Sequence, residues 1–402
     1  MKRILAALIG MCLALTCVGC SKAPTQDHTS ASGSGTTPND LVTTPTTDPF
    51  HSDQLQQPMH AISMVTVSEN TLADDGAVIF TSTYQKIGLI LNGKDTQSVI
   101  AADLERKTSA FLSDHADIIS DAREHYATNP TDWYPYFTDI SYTPTRIDQS
   151  VMSLFCNYSV YYGGVHPSYV TDSVTYDLST GKSLKLGDIL EESCTSSDLY
   201  TLVDTALAPD ADALYFDYQD WLKDIFSVDL NKITNWYFSQ TGLCFHFAPY
   251  EIAPYSSGTI IATIPYEQLN GVLQAAFFPT KLANANGSLY AESFLPDDTE
   301  RFTFLANVEL DADGTKVLIH PDATVTDVRI ESGEWSYDGS RYIPVSTVFA
   351  ADSIGLGNGI LLTADLSSDA PALRLVYTSG GQEASAFIIY DETGDAILLA
   401  HG

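Results

Sequence analysis

Basic residues are scarce in this 402-residue chain: 19 Lys and Arg stand against 51 Asp and Glu, for a formal net charge of −32. A nucleic-acid binder needs basic patches to neutralise phosphates, so that class is excluded. The imbalance also excludes adhesion to an anionic bilayer through protein charge. It suits solubility, or attraction to a basic partner. Cysteine is sparse as well. Beyond residue 20 only Cys156, Cys194 and Cys244 occur, an odd number that cannot pair fully. Cys156 and Cys244 sit in apolar, strand-like surroundings and read as buried free thiols. This part of the chain holds no Cys-x-x-Cys, and no Gly-x-Ser-x-Gly, His-Glu-x-x-His, P-loop or strand-to-helix GxGxxG occurs. No cofactor and no metal centre is predicted.

Apolar residues make up 44% of the chain, enough for a sizeable core. Its length allows two or three domains. Lys2 and Arg3 form a short basic start. Ile4 to Val18 is an apolar run too short for an ordinary membrane span. The run closes on Cys17-Val18-Gly19-Cys20 and resembles a bacterial lipoprotein signal, with cleavage before Cys20 and lipidation of that cysteine. Cys17 departs from the leucine usual at its position. Residues 1–19 are therefore expected to be a signal peptide, and the chain to be lipid-anchored to the cell membrane, facing outside the cytoplasm. Residues 20–59, rich in Ser, Thr, Pro, Asp and Gln, read as a disordered tether.

Alternation predicts strands at Val65–Val67, Val78–Tyr84 and Gly88–Leu91, with Asp74-Asp75-Gly76 as a turn. Helical spacing of Leu104, Phe111, Leu112, Ile118, Ile119 and Ala122 predicts one long helix over Val99–Tyr126. The aromatic run Trp133–Phe137 reads either as a recognition surface or as packing under that helix, and packing is preferred. Ile140–Leu154 reads as strand. Asn157–Tyr162 and Tyr169–Leu178 read as strands joined by Gly163-Gly164-Val165-His166-Pro167, with Asp188 as an N-cap further on. Ser196–Leu207 and Asp217–Phe226 read as helices, Ile233–Phe247 and Ile260–Ile264 as strands, and Tyr266–Phe277 as a closing helix. From Leu289 onward strands alternate with turn signals and no long amphipathic helix appears, the pattern of a β-sandwich. The fold class is α+β: a mixed strand/helix domain over 60–283, then a small all-β sandwich over 287–402.

Two blocks, Cys156–Leu190 with its GGVHP and YDLSTGKSLKLGDIL, and Asn235–Leu269 with PYEIAPYSSG, resemble the extracellular domain of the anti-sigma factor RsiV. The same domain precedes the catalytic part of the peptidoglycan deacetylase PdaC. The resemblance covers roughly Val65 to Phe278. The best understood member of this family uses the domain to recognise lysozyme, a basic enzyme. The resemblance thus implies lysozyme or peptidoglycan fragments as partners. The acidic metal-binding motif of polysaccharide deacetylases is missing, so the deacetylase activity is not implied.

Pro249–Gly258 is the candidate recognition loop, with two Pro-Tyr pairs and a Glu preorganising aromatic tips. The ligand-binding residues expected are His166, Tyr250, Glu251, Pro254 and Tyr255. For His166 three roles stay open: fixing its turn, recognising ligand, or catalysis with Asp172 or Asp177. As a metal ligand it would need companions such as His246 and Asp188. Glu309-Leu-Asp311-Ala-Asp313-Gly314-Thr315 begins like a calcium loop, but His320 stands where a bidentate acid is required, so a hairpin turn is expected. The leading reading is a ligand-binding surface lipoprotein, more a binder than an enzyme. An envelope enzyme acting through His166 and an assembly factor are the alternatives.

Overall fold

The computed structural model describes residues 59–279, 285–337, 341–367, 372–390 and 396–400. The expected signal segment, Cys20 and the expected tether up to residue 58 lie outside them. Among the described residues no helix is long and apolar enough to cross a membrane.

The chain opens with β1 (Ala61–Leu72) and β2 (Val78–Ile90), an antiparallel pair. The predicted turn joins them. Asp75 Oδ1 accepts from Ala77 N–H at 3.1 Å, and Gly76 takes the left-handed conformation that glycine tolerates, φ 87°. Where one long helix was expected there are two, α1 (Lys94–Asp114) and α2 (Ile118–Thr128). The break follows from His115, whose Nδ1 donates to the Phe111 carbonyl at 2.8 Å and competes with the helix ladder there. The two helices carry the chain over to β3 (Tyr136–Ile147), which runs parallel to β2. β4 (Val151–Tyr161) and β5 (Ser168–Asp177) extend the sheet antiparallel. Ile100 and Leu104 of α1 bury against Ile62, Met64, Ile140, Tyr142, Leu154 and Tyr176. Trp133 and Tyr136 of the aromatic run pack with Ile118 and Ala122 of α2, as preferred, while Tyr134 stays exposed.

Next come α3 (Leu186–Ile189), α4 (Ser196–Leu207) and α5 (Tyr218–Ile225). Asp188 is not the N-cap but stands three residues inside it, its carboxylate accepting from Lys185 N–H at 2.9 Å. α4 starts on Thr195, whose hydroxyl accepts from Asp198 N–H. The stretch Ile233–Phe247 divides into β6 (Trp236–Phe238) and β7 (Gly242–Phe247). With β8 (Ile260–Pro265) they make a three-stranded sheet. Leu199, Val203, Leu207 and Leu222 bury against Phe245, Phe247, Ala262 and Ile264.

The closing helix expected over Tyr266–Phe277 is absent. Two short 3-10 turns, Tyr266–Gln268 and Ala275–Phe277, stand there instead. Gly271 between them has φ 78°, which ends helical continuation, and Gln274 Nε2 reaches back to Leu190 O at 2.7 Å. Arg146, fully buried, holds this segment down. Its Nη1 donates to Tyr266 Oη at 2.8 Å and to Phe277 O at 2.6 Å, and its Nε to Asp148 Oδ2 at 2.6 Å.

The remaining strands are β9 (Leu289–Ser293), β10 (Phe304–Glu309), β11 (Thr315–Pro321), β12 (Val325–Trp335), β13 (Tyr342–Ile354), β14 (Asn358–Ala364), β15 (Leu373–Ser379), β16 (Gln382–Tyr390) and β17 (Ala396–Ala400). A sheet in the order β10-β14-β11-β9 lies over β12, β13, β15 and β16. The two share a core of Val308, Val317, Ile319, Ile360 and Leu362 against Val328, Ile330, Phe349, Leu375 and Ile388. The sandwich is therefore present, but its larger sheet does not stop at the sandwich edge. β13 pairs with β1 (Ala61↔Ala351, Ile62↔Ala350, Ser63↔Phe349), so one ten-stranded sheet runs β17-β16-β15-β12-β13-β1-β2-β3-β4-β5. Met59, read from sequence as the end of the tether, is buried in the sandwich core. The Asp311–Gly314 turn is not a hairpin turn. β14 inserts between β10 and β11, parallel to the first and antiparallel to the second.

A buried polar joint marks the seam. His60 N–H donates to Asp352 Oδ1 at 2.9 Å, Asp352 N–H returns to His60 O, and His60 Nδ1 donates to Asp148 O at 3.0 Å. Gln149 Nε2 donates to the other Asp352 oxygen. Burial pushes the Asp352 carboxyl up to about 6, against the lowering influence of His60.

Candidate ligand-binding face

The turn ahead of β5 is built by two glycines at φ 100° and 105°. A side chain on Gly163 would meet the Tyr136 hydroxyl at 2.8 Å. Pro167 then holds His166 extended and exposed. His166 Nδ1 donates to Pro167 O at 2.9 Å. The imidazole lies on the ring of Tyr255, centroids 4.3 Å apart and planes 25° apart. Tyr255 comes from the Pro249–Gly258 loop, whose hydroxyl end reaches Pro167 O at 3.5 Å. Tyr250 and Tyr169 complete the cluster, 5.5 and 6.2 Å from Tyr255.

The loop is held from beneath. Ile252 and Ala253 are buried in the core under α4 and α5, the Ile252 side chain contributing roughly 1.5–3 kcal/mol. Glu251 accepts from Ala248 N–H at 2.6 Å, and Tyr250 N–H donates to Ala253 O at 3.0 Å. These bonds keep Tyr250 in the left-handed region at φ 75°, which costs a non-glycine residue on the order of 1 kcal/mol. Pro254 is exposed and starts the 3-10 turn Tyr255–Ser257, and Gly258 at φ 67° ends it. Tyr215 N–H donates to Ile252 O and Ser257 Oγ to Ala213 O, which brings the neighbouring Phe216 close by, wholly exposed.

Of the sequence-derived candidates, His166, Tyr250 and Tyr255 thus share one surface. Glu251 and Pro254 shape the loop that presents it. Sequence reasoning missed Tyr169, Val165 and Phe216. Their exposure comes from a free sheet edge and two turns, which residue type does not report. His246 does not join His166. It is buried, with Nδ1 at 3.0 Å from Thr171 Oγ1 and Nε2 at 3.0 Å from Ser173 Oγ, and burial lowers its pKa to about 4. Asp172 accepts from Ser173 N–H, Asp177 from Ser179 and Thr180, and Asp188 from Lys185. Among the described residues no carboxylate hydrogen-bonds His166, and no group of three or more His, Cys, Asp or Glu side chains could hold a metal. Cys156 and Cys244 are buried free thiols, and burial pushes the Cys156 thiol far up. A cleft of about 290 Å³ lined by Arg146, Tyr237, Gln240, Asp327 and Arg329 takes in none of the aromatic face.

What the fold and this face define is a mixed α+β module joined to a β-sandwich, with exposed aromatic rings on loops of the module. Residues 195–267 match the family described as protein of unknown function (DUF3298), the domain whose resemblance the two sequence blocks carry. The matched stretch spans α4, α5 and the Pro249–Gly258 loop, and the block containing His166 precedes it. No curated protein matches the chain. A member of the DUF3298 family from Bacteroides fragilis NCTC 9343 is similar at 20% identity and TM-score 0.42, over 55% of this chain and 96% of that one. A DUF3298 family protein from Pseudomonas aeruginosa PAO1 is similar at 16% identity and TM-score 0.37, over 56% of this chain and 99% of that one.

Proposed function

We propose that this protein is a membrane-anchored, extracytoplasmic lipoprotein that binds lysozyme or a cell-wall component through the His166–Tyr255 face. Residues 1–19 direct export, Cys20 carries the lipid, and 20–58 space the folded part from the membrane. The module of 60–283 binds, and 287–402 forms its β-sandwich companion. The observation that carries the reading is the stacking of His166 on Tyr255, which joins the two blocks of family resemblance on one exposed surface. Rigid tyrosines bind at low entropic cost. A net charge of −32 favours encounter with a basic protein through steering, an effect that weakens with salt.

The test is calorimetric titration of the full chain in detergent with lysozyme, at low and physiological salt, beside a titration with peptidoglycan fragments. Binding of either that weakens in Tyr255→Ala is the expected result. Absence of binding to both ligands at both salts overturns the proposal.

A further inference from the structure

The outer edge of β5 supplies a mode of engagement for that binding reading, on which this inference rests. β5 is the last strand of the ten-stranded sheet. Its ladder with β4 runs from Val160↔Ser168 to Val151↔Asp177 without a register shift. At its far end Leu178 N–H turns towards β4 and donates to Ser150 O. Asp177 N–H and Thr175 O turn the other way, to Lys182 O and Leu184 N–H. Backbone direction alternates along a strand. The N–H and C=O groups of Ser173, Thr171 and Tyr169 therefore also turn away from β4. Ser173 N–H is taken by the Asp172 carboxylate at 2.8 Å. The backbone groups of Thr171 and Tyr169 have no partner among the described residues.

Open edges are templates for another strand, and proteins that do not use them guard them with Lys, Pro or a bulge. β5 contains none of these. Its open half is flanked by apolar surface instead: Tyr169 and Val170 are 47% and 59% exposed, and the Tyr255 ring lies alongside. Charge selects the occupant. Residues 147–181 and 233–280 contain no Lys or Arg, while Asp172, Asp177 and Glu251 are acidic. We propose that β5 accepts an extended, Lys- or Arg-bearing segment of a partner protein as an added strand. The segment pairs with the backbone of Tyr169 and Thr171 and lays side chains against Tyr169, Tyr255 and His166.

Amide hydrogen exchange at single-residue resolution tests this on the full chain in detergent. The probes are a ten-residue peptide alternating Lys and Val, lysozyme, and peptidoglycan fragments. The Tyr169 and Thr171 amides are expected to exchange freely in the chain alone. The peptide should slow them at least a hundredfold. Tyr169→Pro, which removes the outward N–H, should bind the peptide at least tenfold more weakly than Tyr169→Ala, which keeps it. Should the proline variant not fold, exchange in the unaltered chain decides alone. Amides already protected in the free chain overturn the proposal. So does a peptide that fails to bind at millimolar concentration, or one that binds without protecting them. Lysozyme or glycan binding that leaves both amides exposed keeps the binding reading and removes strand addition. Peptide docking without lysozyme or glycan binding does the reverse.

Discussion

The ring of His166 rests on the ring of Tyr255, 4.3 Å between centroids, and each belongs to a different block of the sequence. His166 is exposed and Tyr255 half-buried, and both reach the Pro167 carbonyl. Removal of the stack should therefore change stability little, within about 1 kcal/mol. Binding should respond far more. Aromatic anchors of this kind carry roughly 1–2 kcal/mol or more of interface energy, so His166→Ala and Tyr255→Ala should each weaken lysozyme binding about tenfold. Calorimetry and thermal melts on the same samples separate the two effects. Large losses of stability with unaltered affinity would make the stack a structural clamp.

Asp352 makes stability depend on pH in a defined direction. Its carboxyl is raised to about 6 by burial, against roughly 3.9 in an unfolded chain. The folded state then holds its proton more tightly than the unfolded state. The favourable contribution is complete below about pH 4 and is lost as pH rises to about 6. The size is on the order of 2–3 kcal/mol. Urea midpoints of the unaltered protein and Asp352→Asn should therefore diverge with pH. The variant fares relatively better at pH 7 than at pH 4, whatever its own hydrogen bonds cost. A difference independent of pH would remove Asp352 from the account.

Arg146 is a fully buried cation tying β3 to the Tyr266–Phe277 segment. Its charge faces the Asp148 carboxylate and lies 4.9 Å from the Phe238 ring. Arg146→Ala leaves that carboxylate without its partner and two oxygens without donors. Loss of one member of a buried pair costs about 3–5 kcal/mol. Chemical unfolding should show that loss, and protease digestion should cut first near Tyr266–Phe277. A loss below 1 kcal/mol would show that solvent replaces the guanidinium.

Much of this architecture was legible in the sequence, for a local reason. The Asp74–Gly76 turn, helix α4 and β5 each follow from patterns within a dozen residues. What was not legible depended on distant partners. A histidine bonding a carbonyl split the long helix at His115, and a glycine with a distant glutamine contact replaced the Tyr266–Phe277 helix by turns. The insertion of β14 between β10 and β11 has no local signature. Nor has the continuity of one sheet through β1 and β13, since three paired residues on each strand create it. The candidate residues were named individually, but their meeting on one face depends on how the Pro249–Gly258 loop docks beside β5.

Met59 gives that continuity a direct test. Composition places it at the end of a polar, proline-containing stretch, yet its side chain is 2% exposed within the sandwich core. Burial there, next to the β1–β13 pairing, means that Met59 helps to close a sandwich built mostly from the last hundred residues. Met59→Ala leaves a cavity and should cost about 2–3 kcal/mol, typical of a buried large-to-small change. A chain begun at residue 60 should lose at least as much, because it lacks the buried Met59 side chain altogether. Met59→Leu conserves volume and should stay within about 1.5 kcal/mol of the unaltered protein. Urea unfolding of the three proteins measures this directly. Equal stabilities would detach Met59 from the core and return it to the tether.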